Sequence, residues 1–147
     1  MTCVFCAIAD GQLPAHILYQ DEHFLVLLDI FPLRPSHLLI VARGHAPFLA
    51  DLPVAPRQAL LDLAERMAGA LYRSDPGVQG INLLLNDGPV ANQHVPHLHL
   101  HLIPRRRGDL PMLCWRILTR FLPFGRRRIE ARLAREAEQL RAALTEG

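Results

Sequence analysis

The chain has no lysine, no long uninterrupted apolar run, few aromatic residues and only three cysteines in 147 residues. Without a run of about 18 apolar residues, nothing in it reads as a membrane-spanning helix. Three cysteines, two of them spaced as Cys3-x-x-Cys6, argue against the disulfide framework of a small secreted domain. The stretch Met1 to Asp10 lacks a basic segment followed by an apolar core, so no secretory leader is visible and a cytoplasmic protein is expected. No internal repeat, linker or low-complexity tract appears. Half of the residues are apolar, so one domain over residues 1–147, able to bury a real core, is expected. With lysine absent, all basic charge rests on sixteen arginines, unevenly placed. Residues 1–104 hold five arginines against nine acids, whereas residues 105–147 hold eleven against five. That tail could attract phosphates or nucleic acid, although an amphipathic helix with a solvated arginine face explains most of it.

Histidine is what the chain has in concentration. Four of its eight histidines fall in Asn92-Gln93-His94-Val95-Pro96-His97-Leu98-His99-Leu100-His101-Leu102-Ile103. From His97 the alternation of His and Leu has the period of a half-buried strand, which puts His97, His99 and His101 on one face and the leucines in a core. Imidazole is a metal ligand, a proton carrier or a nucleophile near neutral pH. The face could therefore be a three-histidine metal site or a site where one imidazole attacks an electrophile, and the period does not choose.

The remaining elements follow from local signals. Cys3 to Gly11 reads as a short helical turn stopped at Gly11. His16–Gln20 and His23–Asp29 read as a hairpin about Asp21-Glu22, then a proline-rich loop to Ser36, and His37–Arg43 as a further strand. Leu60, Leu63, Met67 and Leu71 recur at helical period between Pro56 and Arg73. Gly80–Asn86 is a strand, and Asp87-Gly88-Pro89 turns into the histidine strand. Leu110–Gly125 is expected to be irregular or briefly helical, broken at Pro111 and Pro123. Ile129, Leu133, Ala137, Leu140 and Leu144 mark a last helix. Hairpin-linked strands with segregated helices indicate an α+β fold with a mainly antiparallel sheet. Cys3-x-x-Cys6 is half of a structural zinc site, or else two small buried hydrophobes on a helix. Cys114 stands apart and is expected to pack. Backbone N–H groups near Asp87-Gly88-Pro89 and His94 suit an oxyanion, and Asp29 at a strand end suits sugar hydroxyls.

His97-Leu-His99-Leu-His101-Leu-Ile103 resembles the signature of the histidine triad family of nucleotide hydrolases and transferases. Cys3-Val-Phe-Cys6-Ala-Ile, Asp29-Ile-x-Pro, Pro35-Ser-His37, Arg43-Gly-His45 and Asn86-Asp-Gly88 stand in the family's order, so the resemblance covers roughly residues 2–109. It implies the histidine triad fold, an antiparallel sheet of about five strands with two main helices, usually paired as a homodimer; residues 110–147 are then a C-terminal extension with an arginine-rich helix, expected to cover the sheet. It implies that His99 attacks the α-phosphorus of a purine nucleotide and forms a nucleotidyl-imidazole, which water cleaves. His101 would hydrogen-bond the phosphate, with Asn86 and backbone amides beside it, and His97 would complete the triad. Asp29 would hold the ribose, with His37 near the base and ribose, and Val4, Phe5, Ile8, Leu27 and Ile30 would form the base pocket. Gln93 matches the family's glutamine. At His94 many members carry Ser or Thr, and Asn92 replaces a usual Gly, which leaves the leaving-group preference open between phosphoramidates and dinucleoside polyphosphates.

By resemblance to the related uridylyltransferases, Cys3, Cys6, His45 and His97 would bind a structural zinc ion, with His94 the rival fourth ligand. No catalytic metal is required in this scheme, although Mg²⁺ could accompany a polyphosphate. Neither a membrane nor a nucleic acid partner is expected. The alternatives are a nucleotidyltransferase, a three-histidine zinc hydrolase, and a nucleotide-binding scaffold dimer with vestigial activity.

Overall fold

The structure is a computed structural model and describes residues 3–122 and 126–145, without the side chains of residues 126 and 127. Helix α1 (Val4–Ala9) is stopped by Gly11, whose φ of +72° is a conformation open to glycine. Strands β1 (Ile17–Gln20) and β2 (Phe24–Leu28) form the expected hairpin. Its turn is built by Asp21, whose Oδ1 accepts the N–H groups of His23 and Phe24 at 2.8 and 2.7 Å. Strand β3 (Leu38–Ala42) follows the proline-rich loop, then helix α2 (Val54–Ser74), strand β4 (Gly80–Leu85) and strand β5 (His99–Arg105). Helices α3 (Leu110–Thr119) and α4 (Arg126–Thr145) end the described chain.

The five strands form one antiparallel sheet in the order β1-β2-β3-β5-β4. The last strand to be made therefore sits inside the sheet, between β3 and the edge strand β4. Alternation then separates two faces. On one, Phe24, Val26, Leu28, Leu38, Ile40, Leu100 and Leu102 pack against Leu60, Leu63, Met67 and Leu71 of α2 and Leu133, Ala137 and Leu140 of α4. On the other, Leu25, Leu27, Leu39 and Val41 meet Phe5 of α1. The register sets His99 opposite Val41 and His101 opposite Leu39, so the histidines stand on the second face, which α1 covers only in part.

Three expectations need correction. Cys114, expected to pack, is exposed. The segment after β5, expected to be irregular or briefly helical, is helical over ten residues. Pro111 lies in its first turn, where a missing N–H costs nothing, so it starts the helix rather than breaking it. Pro123, the second expected break, lies outside the described residues. The regular histidine strand also begins at His99; His97 and Leu98 precede it, and Leu98 bonds Ala46 and Ala42 through its own N–H and C=O, at 2.7 and 3.2 Å.

Candidate active site

The chemistry starts with which nitrogen of each imidazole is free. His99 is buried, and its Nδ1 lies 2.7 Å from the carbonyl oxygen of His97. A carbonyl can only accept, so Nδ1 carries the proton and Nε2 holds the lone pair. Burial keeps this imidazole below the usual histidine range, a tendency that the His97 carbonyl and Asp29 oppose. Among the described residues no hydrogen bond engages Nε2, so the ring has the tautomer and the charge that nucleophilic attack by an imidazole requires.

His101 is set by a chain of bonds that begins in the proline-rich loop. The Leu33 N–H donates to His37 Nδ1 at 3.1 Å, which obliges His37 to carry its proton on Nε2. That Nε2–H donates to His101 Nδ1 at 2.9 Å, so His101 carries its own proton on Nε2. Asp29 Oδ2 lies 3.5 Å from His37 Nδ1, too long to compete with the backbone donor. Burial, first, and then the charge of Arg120 push His37 down to about 3; burial and the neighbouring His37 do the same to His101. Both rings therefore stay neutral, and His101 is kept as a hydrogen-bond donor.

Two adjoining cavities open at these groups. One, of about 370 Å³, is walled by Val4, Phe5, Ile8, Leu27 and Ile30 and reaches Asp29, Asn86, His94, His99 and His101. The second, of about 410 Å³, shares Asn86, Asn92, His94 and His101 with it and extends to Leu33, Leu84 and Ile117. Phe5 packs at 5.1 Å from the His99 ring, and Asp29 Oδ1 is partly engaged by the Phe31 N–H at 2.8 Å. Three expected site residues are not on the cavity wall. His37 is wholly buried and reaches the site only through His101. The amide of Gln93 is spent within the loops, accepting from the Gly88 N–H at 3.0 Å and donating to the Pro47 carbonyl at 2.6 Å. His97 turns its ring away from both cavities, and what it presents to His99 is its backbone carbonyl. Conversely, Arg120 and Phe121, just after α3, line both cavities. Neither carries a periodic or motif signal; they lie in the arginine-rich tail beyond the stretch that bears the family pattern.

The ring of His97 belongs to a second cluster. Its Nε2–H donates to the Ala42 carbonyl at 2.7 Å, which leaves Nδ1 as a lone pair among three further donors. Cys3 Sγ is 3.3 Å away, Cys6 Sγ 3.6 Å and His45 Nδ1 3.3 Å, with Cys6 Sγ 3.4 Å from His45 Nδ1. Ligands on a tetrahedral Zn²⁺ are separated by about 3.3 Å between nitrogens and about 3.6 Å between nitrogen and sulfur, from the usual bond lengths. The donor set and its spacing therefore fit zinc, with His45 and not His94 in fourth place. His94 instead stands edge-on to Phe121 at 5.7 Å, beside the cavities. Such a site is closed and offers no open position for substrate.

A HIT domain model matches residues 10–108. An adenylylsulfatase of Arabidopsis thaliana is 36% identical over 107 residues, covering 73% of this chain and 54% of that one. An adenosine 5′-monophosphoramidase of Candida albicans is 32% identical over 108 residues, 71% of either chain. The crystal structure of a zinc-bound histidine triad family protein from Mycobacterium smegmatis is 36% identical, with a TM-score of 0.77 over 99% of this chain and 95% of that one. By the matched domain and by these identities, the chain belongs to the histidine triad family.

Proposed function

We propose that this protein is a nucleotide hydrolase that cleaves at the α-phosphate of a purine nucleotide through a covalent nucleotidyl bond to His99. The observation that carries the reading is the bond from His99 Nδ1 to the His97 carbonyl, which leaves Nε2 free at the cavity. The base occupies the apolar wall of Phe5, Ile8 and Leu27, and Asp29 takes the ribose hydroxyls. His101 Nε2–H and Asn86 donate to the phosphoryl oxygens as charge develops there. Nε2 attacks phosphorus; the bond to the leaving group breaks, and its electron pair departs with that group. When an amine leaves it also gains a proton, for which His94 is the available acid. Water then attacks phosphorus, the P–N bond breaks, the pair returns to Nε2, and water's proton passes to solvent as the nucleoside monophosphate leaves. The substrate class is nucleoside phosphoramidates, adenylyl sulfate or dinucleoside polyphosphates; the names of the Arabidopsis and Candida relatives support the first two.

The chain acts in this reading as one domain with an extension after residue 109, in the cytoplasm, without a membrane or nucleic acid partner. Zinc on Cys3, Cys6, His45 and His97 is structural, and the reacting groups are all side chains and backbone. A homodimer is supported by the exposed Leu83 and Leu84 on the edge strand β4, together with the exposed Trp115, Ile117 and Leu118 on α3.

The test is incubation of wild type and His99→Ala with adenosine 5′-phosphoramidate, adenylyl sulfate and diadenosine polyphosphates. AMP release and an acid-labile adenylyl adduct on the wild type, both absent in the variant, are expected. A folded wild type that binds AMP yet forms no adduct and releases no AMP would refute the reading.

A further inference from the structure

Arg120 lines both cavities, and the reaction proposed above gives it no role. It caps the C-terminus of α3, its backbone N–H donating to the Arg116 carbonyl at 2.9 Å. Its guanidinium lies over the Phe121 ring, 4.6 Å from the centroid, with only 15% of the side chain exposed. Among the described residues its guanidinium makes one ion pair, to Asp29 Oδ2 at 3.9 Å, and no hydrogen bond. A guanidinium offers five N–H donors in a fixed fork. One that is largely withdrawn from water, with a single loose partner, is poised for an acceptor that arrives from outside.

The charge inventory says what kind of acceptor. Among the described residues lining the two cavities, Asp29 is the one acid and Arg120 the one arginine. His101, buried and accepting the bond from His37 on Nδ1, is a neutral donor there and supplies no positive charge. Without Arg120, a nucleotide would meet a net negative site. Arg120 also belongs to the wall that the two cavities share; with the nucleoside in the first cavity, as proposed above, a substituent on the α-phosphate would extend beyond His101 into the second.

We propose that Arg120 receives the leaving group and biases the site toward nucleotides whose α-phosphate carries an anionic substituent, a sulfate or a further phosphate. The proposal rests on the hydrolase reading and names its substrate class. When sulfate departs, the P–O bond breaks and its electron pair completes a dianion on the leaving oxygen, with no proton required. The fork of Arg120 matches two of those oxygens and stabilises the charge as it forms. When an amine departs, it must gain a proton, and a guanidinium does not give one up. The same side chain thus favours one leaving-group class and does little for the other.

The experiment compares wild type, Arg120→Gln and Arg120→Lys as full chains checked for folding by circular dichroism. It measures kcat and KM with adenylyl sulfate and with adenosine 5′-phosphoramidate, and equilibrium binding of ADP and AMP. In Arg120→Gln, kcat/KM for adenylyl sulfate is expected to fall about 10- to 100-fold further than for the phosphoramidate, the scale of one charge-assisted hydrogen bond. The Lys variant should recover part of that loss. Wild type should bind ADP more tightly than AMP, and Arg120→Gln should erase the difference. Equal losses on both substrates, or an ADP preference that survives in Arg120→Gln or is absent from wild type, would overturn the proposal and leave Arg120 as a positioning partner of Asp29. If neither substrate is turned over, the hydrolase reading fails, while the ADP and AMP affinities still decide the role of Arg120.

Discussion

Acidifying the protein from about pH 7.5 to about pH 5 is expected to remove about 4 kcal/mol of stability through two side chains alone. His37 and His101 are pushed down to about 3 in the fold, both by burial first, then His37 by the charge of Arg120 and His101 by the neighbouring His37. In the unfolded chain each returns to about 6.5. For a histidine lowered by folding, the unfolded state binds the proton first. The stability is therefore whole above the unfolded value and is lost as pH falls from there toward 3. Across that interval the folded rings take up almost nothing, so each group loses about 1.4 kcal/mol per pH unit, about 2 kcal/mol in all. The charged groups facing the pair are Asp29, which favours protonation, and Arg120, which opposes it. Urea unfolding at stepped pH reads the slope. His37→Gln removes one titrating ring while retaining a donor for His101 Nδ1, and should halve the loss to about 2 kcal/mol. A wild-type stability that stays flat over the interval would refute both the burial argument and the fixed tautomers derived from it.

Two further perturbations test the supports of the site. The purified protein should carry about one zinc per chain, and replacing Cys3 and Cys6 together by Ser should abolish it. Chelation should then lower stability by about 4 kcal/mol if free zinc stands about a thousandfold above its Kd, and an unchanged melting curve would contradict a structural metal. Asp109 gathers the loop after β5: it binds Arg105 at 2.7 Å and the Arg106 N–H at 2.9 Å, and pairs with Arg34 at 3.3 Å. Asp109→Ala leaves two arginines without their anion and should cost about 3 kcal/mol by urea titration; a loss within experimental error would show the network to be ornamental.

The parts of this molecule that could be read along the chain are those set by short-range periods. Alternation from His97 to Ile103 requires that imidazoles and leucines part to opposite faces of any strand they form, whatever sheet receives it. Asp21-Glu22, Gly11 and the apolar spacing in α2 act over a few residues and carry their own geometry. The misreadings were of context. Pro111 is compatible with either a break or a first turn, and only the chain before it decides which. Gln93 matches a pattern, yet its amide bonds depend on where the Pro47 and Gly88 loops pass.

What the sequence by itself determined is therefore a set of faces and a list of donors: a histidine face, a Cys-x-x-Cys turn, an acid at the end of β2. Tertiary structure decided how they combine. Placing β5 between β3 and β4 brings Leu98 beside Ala46, which sets His45 rather than His94 against His97 and the two cysteines. It carries His101 to His37, 64 residues away in the chain, and so fixes which nitrogen bears its proton. It also folds the end of α3 back to set Arg120 against Asp29, where nothing local foretells an ion pair. Tautomer, charge balance and ligand identity all depend on partners a few ångströms away in space but dozens of residues away in sequence. Those separations are set by packing the whole sheet, and no local period encodes them.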